Sequence, residues 1–160
     1  MAVSMISQPI TCDQLKKVNQ PISQALKLGD TVYVSAQYPC EVKDQDLSTQ
    51  CMACIEHLAL ILGQINLELR HVVKTTLYLT DYKDLETIDL VYATYFPHPY
   101  PVRSLVLVSE LPDGVLVGLD CIAIDTLIYE EKFNVKPYNS EDCEEHDCDR
   151  CPDGFCQERK

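Results

Sequence analysis

Long apolar runs are missing from this sequence, and so is any surplus of positive charge. Its uninterrupted hydrophobic stretches last only a few residues, too few for a membrane span, and Met1 to Ile10 has neither the basic start nor the sustained apolar stretch of a secretory leader. A soluble, cytoplasmic protein is the expectation. Thirteen Lys and Arg stand against 25 Asp and Glu, a formal net charge of −12. Residues 1–140 carry 17 acidic and 10 basic side chains, and the last twenty carry 8 against 3. Such a field repels phosphate backbones, and no basic stripe interrupts it, so nucleic acid is disfavoured as a partner. No internal repeat is present, and 160 residues with 46 % hydrophobic content predict one core.

What the chain has in quantity is cysteine. Nine is an odd number, and without an export signal it points to thiols or metal ligands instead of a disulfide framework. Five lie in the body, at Cys12, Cys40, Cys51, Cys54 and Cys121; Cys143, Cys148, Cys151 and Cys156 crowd near the end.

Alternation and turn residues predict a hairpin over 25–37, folded back at Gly29-Asp30. Apolar residues three and four apart, from Met52 to Ile65, predict an amphipathic helix over about 48–66 behind the polar Asp46 and Ser48. The β-branched HVVKTTLYLT (71–80) predicts a strand. Leu85, Ile88, Val91, Tyr92 and Tyr95 then form one stripe of a helix expected to open at Asp81 and stop at Pro97. A closing hairpin is expected from 104–110 and 115–124 across Leu111-Pro112-Asp113-Gly114. The fold class read from this order is α+β, with a mixed sheet and two helices on one face. Apolar periodicity vanishes near Glu130, so the domains read as 1–130, a folded body, and 131–160, an acidic cysteine-rich tail. Strands apolar on both sides leave the uncovered face in search of a second subunit.

Four stretches carry a family likeness: PISQALKLGDTVYVSAQ (21–37), VVKTTLYLTDYKDLETIDLVYATYF (72–96), PVRS (101–104) and LPDGVLVGLDCIAI (111–124). Together they resemble the YjgF/RidA family over about residues 18–126. The resemblance implies a chorismate-mutase-like fold, a homotrimer with ligand sites in the clefts between subunits, and hydrolysis of enamines and imines of 2-keto acids to the keto acid and ammonia. No cofactor is implied for the body, and a small imino or keto acid is the implied partner. Some relatives have been called ribonucleases, a label that the acidic charge opposes.

Arg103 matches the arginine that grips the substrate carboxylate in this family. Its planar fork of donors suits a bidentate carboxylate contact, and the prolines of PHPYPVRS (97–104) stiffen the approach to it. Around it the sequence departs from the pattern: Ile22 stands where a tyrosine is implied, Gly118 where a water-positioning glutamate is, Leu105 for a cysteine, and Asp89 for an asparagine. Ser35 matches the family serine, and the backbone of Leu105 remains able to contact a ligand. Asp120, two residues along the strand from Gly118, is the nearest carboxylate on the same face and the candidate second catalytic group. Whether it faces Arg103 depends on the length of the turn between their strands. The competing reading is a trimer that binds a small carboxylate or keto acid through Arg103 without turning it over.

The other cysteines and histidines carry less. Cys51 and Cys54 have a redox spacing but sit on a core stripe, and Cys121 reads as a small buried hydrophobe. His57 and His71 read as surface histidines flanking the first helix, and His98 as a rim residue near Arg103. In the tail, C-x4-C-x2-C-x4-C over Cys143, Cys148, Cys151 and Cys156 can place four thiolates around a tetrahedral zinc; a disordered acidic tail with free or oxidised thiols is the alternative.

Overall fold

The computed structural model describes residues 7–16 and 20–135. The chain separates into a unit over Met1–Leu127 and a second over Ile128–Lys160. The first holds a six-stranded sheet in the order β1-β2-β3-β6-β4-β5. Its strands are β1 (Ser7–Ile10), β2 (Ala25–Leu28), β3 (Thr31–Gln37), β4 (Val72–Leu79), β5 (Val102–Leu107) and β6 (Val117–Ile124). Helices α1 (Leu47–Gly63) and α2 (Leu85–Tyr95) pack on each other, α1 lying along β3 and β6. This is the expected α+β architecture. In the second unit, residues 128–133 belong to a short helix, α3 (Leu127–Phe133), and Asn134 follows it at φ 52°.

Local chemistry fixes the helix boundaries. Asp46 caps α1 by accepting the Thr49 amide at 2.9 Å, and its buried Cys51, Cys54, Ile55, Leu58, Ile61 and Leu62 recur at the helical period against the sheet. The second helix begins later than the sequence predicts. Asp81 instead accepts the Lys83 amide at 3.1 Å and pairs with the Lys83 ammonium at 2.9 Å, holding a turn that delays α2 to Leu85. Phe96, extended because Pro97 follows, ends it.

The expected hairpin between the last two strands does not form. β4 lies between them: β5 pairs with β4 in parallel, Thr75 opposite Arg103, and β6 pairs with β4 antiparallel, Thr75 opposite Cys121. The crossover through α2 returns the chain parallel to β4, and residues 108–116 then pass over the end of β4, where the Thr80 amide donates to Leu116 O at 3.2 Å. β5 is therefore an exposed edge and not a buried inner strand. β1, absent from the sequence reading, forms the other edge and carries Pro9, a residue that edges tolerate.

The strand faces separate cleanly. Val32, Val34, Leu77, Leu79, Val117, Leu119 and Ala123 are buried beneath the helices. On the far face Leu26, Leu28, Tyr33 and Val106 stay 38 %, 46 %, 49 % and 38 % exposed, an uncovered apolar surface. Neither helix-flanking histidine is an ordinary surface residue. His71 is buried, its Nδ1 accepting the Glu68 amide at 2.9 Å, and His57 Nε2 lies 2.8 Å from a Glu41 carboxylate oxygen with 16 % of its side chain exposed. No helix among the described residues is long and apolar enough to cross a membrane.

Candidate functional site

Arg103 lies on β5 and points to the helix side of the sheet, where α2 covers it. Nη2 donates to Asp89 Oδ1 at 2.6 Å, and the guanidinium carbon sits 5.0 Å from the centroid of the Tyr92 ring. Stacking on an aromatic face holds a guanidinium flat and adds a favourable cation–π contact. Tyr92 is itself fixed, its hydroxyl sharing a hydrogen bond with that of the fully buried Thr75, the residue directly across the ladder from Arg103. Burial pushes the Tyr92 phenol up to about 12, so the ring stays neutral beneath the cation.

A cleft of about 360 Å³ opens here, lined by Asp89, Tyr92, Ala93, Tyr100, Pro101 and Arg103. Pro101 is buried, so the proline-rich approach forms one wall; His98 is not among the lining residues and meets the cleft only through the Tyr100 ring, their centroids 3.9 Å apart. A larger, more open groove of about 530 Å³ runs along α1 between Glu56, Ala59, Leu60, Gly63 and Gln64. It has one carboxylate and no cation, so the smaller cleft is the better candidate for an organic acid. Beneath the Arg103 site, burial pushes the Cys51 thiol up to about 12 against the opposing pull of Arg103, leaving it an uncharged packing group.

The other predicted residues lie elsewhere. Leu105 shares the Arg103 face, half-buried against the core. Asp120 does not. Thr75 registers with both Arg103 and Cys121, so Asp120, one step along β6, projects from the opposite face. With no hairpin present, turn length does not set this relation; parity through β4 does. Asp120 Oδ2 instead accepts the Tyr78 hydroxyl at 2.9 Å. Gly118, facing the same way, registers with Tyr78, and a Cβ there would lie 2.6 Å from Tyr38 Cε1, so the Tyr38 ring fills the space a larger residue would need. Burial first raises both tyrosine pKa values above the ordinary one, followed by the Asp120 charge at Tyr38 and the hydrogen bond to Asp120 at Tyr78. Ser35 Oγ donates to Ser23 O at 2.7 Å, and Ile22, 59 % exposed, sits in the segment that this bond ties to β3.

The candidate residues thus form two groups on opposite faces: Arg103, Asp89 and Leu105 on one, Asp120, Gly118 and Ser35 on the other, with Ile22 beside Ser35. Tyr92 and Tyr100 belong to the first group and Tyr38 and Tyr78 to the second, though their sequence pattern marked them only as apolar stripe, loop or strand residues. Cys143, Cys148, Cys151 and Cys156 lie outside the described residues, and among the described residues no cluster of three or more His, Cys, Asp or Glu side chains could hold a metal.

Comparison with known proteins identifies the family. The Endoribonuclease L-PSP family model matches residues 14–125. The chain belongs to the YjgF/RidA family. A RutC family protein of Pyrococcus abyssi is 35 % identical over 124 residues, covering 74 % of this chain and 98 % of that protein. The 2-iminobutanoate/2-iminopropanoate deaminase of Salmonella typhimurium is 29 % identical over 126 residues, covering 74 % and 98 %. The crystal structure of RidA from an Antarctic Psychrobacter superposes with a TM-score of 0.68 at 30 % identity, covering 73 % of this YjgF/RidA chain and 98 % of its own.

Proposed function

We propose that this YjgF/RidA protein hydrolyses imines of short 2-keto acids, in a homotrimer whose sites are completed by neighbouring copies. The observation that carries the reading is the Arg103 guanidinium, stacked on Tyr92 and opening into a cleft of substrate size. Arg103 takes the substrate carboxylate. The opposite-face group, supplied by the next subunit, holds the attacking water near Asp120 and Tyr78. Water adds to the protonated C=N carbon and passes one proton to the nitrogen, giving a protonated carbinolamine; the C–N bond then breaks to release ammonia, and the hydroxyl gives its proton to solvent as it becomes the keto oxygen. Fixing substrate and water together supplies most of the acceleration, and the reaction needs no cofactor. The uncovered apolar face, with Leu26, Leu28 and Tyr33, supports assembly.

A second reading has its own support. Gly118 offers no carboxylate to activate water, and the Tyr38 ring occupies the space that one would need. A non-catalytic trimer binding a small carboxylate or keto acid through Arg103 would tolerate that loss. Ammonia release from freshly generated 2-iminobutanoate separates the two. Acceleration over buffer that is lost in Arg103→Ala supports hydrolysis; no acceleration leaves the binder. Sedimentation of the full chain tests the trimer.

A further inference from the structure

Asp89 is placed to do more than neutralise its neighbour. Its Oδ1 accepts from Arg103 Nη2, and its side chain, 53 % exposed, lines the same cleft as the guanidinium. Only one nitrogen of the guanidinium is engaged in that bond, and the Asp89 side chain makes no other hydrogen bond or ion pair among the described residues. A ligand entering the cleft therefore meets a cation and an anion side by side. A plain 2-keto carboxylate reaching Arg103 brings a second negative charge next to Asp89, which weakens its binding. A ligand carrying a positive nitrogen beside its carboxylate turns the same arrangement to advantage, because each charge then lies against its opposite in a closed alternation of four.

We propose that the Arg103–Asp89 couple selects zwitterions, with the ligand carboxylate on Arg103 and its protonated nitrogen on Asp89. The preferred ligands are then protonated 2-imino acids and 2-amino acids of the same skeleton. This rests on Arg103 as the carboxylate-binding group and adds a role for Asp89. It also favours product release: the reactive iminium form is held, and the keto acid that remains after ammonia leaves has lost one of its two contacts.

Calorimetric titration of the full chain with 2-aminobutanoate and with 2-oxobutanoate tests the proposal without relying on turnover. The amino acid should bind about tenfold or more tightly than the keto acid at low salt, since a charge-assisted contact is at stake. Salt should narrow the gap because the pair is partly exposed. Asp89→Asn, nearly isosteric and on an exposed helix face, should weaken the amino acid, strengthen the keto acid several-fold and abolish or invert the preference. Arg103→Ala should abolish binding of both. Near-UV circular dichroism checks the fold of each variant, and Asp89→Ser replaces Asp89→Asn should the latter misfold. Equal or tighter binding of the keto acid to wild type, or a ratio unmoved by Asp89→Asn, with both ligands still dependent on Arg103, overturns the zwitterion proposal and leaves the carboxylate site standing. Binding unaffected by Arg103→Ala, or no binding of either ligand, overturns both.

Discussion

Gly118→Ala probes the packing that distinguishes this chain at its second group of residues. The new methyl carbon would lie 2.6 Å from Tyr38 Cε1 and 2.9 Å from Cδ1, with Gln37 O at an ordinary 3.6 Å. Comfortable carbon contacts are about 3.5–4.0 Å, so roughly 1 Å must be found. The backbone cannot supply it, because β6 is hydrogen-bonded to β3 on one side and β4 on the other. The tyrosine ring has to move. Overpacking of this kind costs about 1–3 kcal/mol, offset by about 0.4–1 kcal/mol from the smaller conformational freedom of alanine in the unfolded chain. The net expectation is a loss of about 1–2 kcal/mol on those two terms. In a Tyr38→Ala background the obstacle is gone, so the same substitution should be neutral or slightly stabilising, giving a coupling of about 1–3 kcal/mol in the four-member cycle. Urea unfolding at one fixed protomer concentration measures each corner. A Gly118→Ala protein as stable as wild type, or one equally weakened with and without Tyr38, refutes the packing argument.

Further outcomes follow from other contacts. The Lys27–Asp125 ion pair ties β2 to the end of β6, with only 10 % of the Asp125 side chain exposed. Burial raises the Asp125 pKa, but the Lys27 ammonium and the Leu127 amide outweigh it and hold the carboxyl below its ordinary value. Its stabilising contribution is therefore complete above the unfolded value of about 3.9 and disappears as pH falls through the lower folded value. Asp125→Asn should cost about 1–3 kcal/mol at neutral pH by leaving Lys27 unpaired, and the variant should show a smaller acid loss than wild type over that window in denaturant titrations. Burial pushes the Cys51 and Cys121 thiols up to about 12 and Cys54 well above its usual range. Iodoacetamide with peptide mapping at pH 7.5 should leave these three unlabelled until urea is added; stoichiometric labelling of the native protein contradicts the burial. Full-length protein prepared without chelator should carry about one zinc per chain by elemental analysis if Cys143, Cys148, Cys151 and Cys156 form a tetrahedral site, and the Cys148→Ser variant should lose it. Metal-free wild-type protein refutes that assignment.

Some of this was legible in the residues alone. The periodicity of α1 and the β2–β3 turn are local signals, written in spacing and in Gly29, and the structure follows them closely. The pairing of β5 is not local. Nothing in SLVLVSE distinguishes a strand that folds back on β6 from one that lies outside β4, since both need the same alternation. The parity relating Arg103 to Asp120 passes through Thr75, and only the sheet order reveals it. Arg103 could be found because PVRS is a compact match, whereas Asp89 became informative through its 2.6 Å contact with that arginine. Tyr38 was invisible for the opposite reason: its meaning lies in the missing side chain of Gly118, eighty residues away.

The pleat of β4 has an evolutionary and genetic consequence. Rows one residue apart point away from each other across the whole thickness of the sheet, so no side-chain rotation within a chain brings the guanidinium to the Asp120 carboxylate. On the trimeric reading, a defect in either is expressed at a junction and not in a molecule. Chains damaged at Arg103 and chains damaged at Asp120, each inert alone, would regain intact junctions when mixed, while either kind diluted into healthy chains would spoil some of theirs.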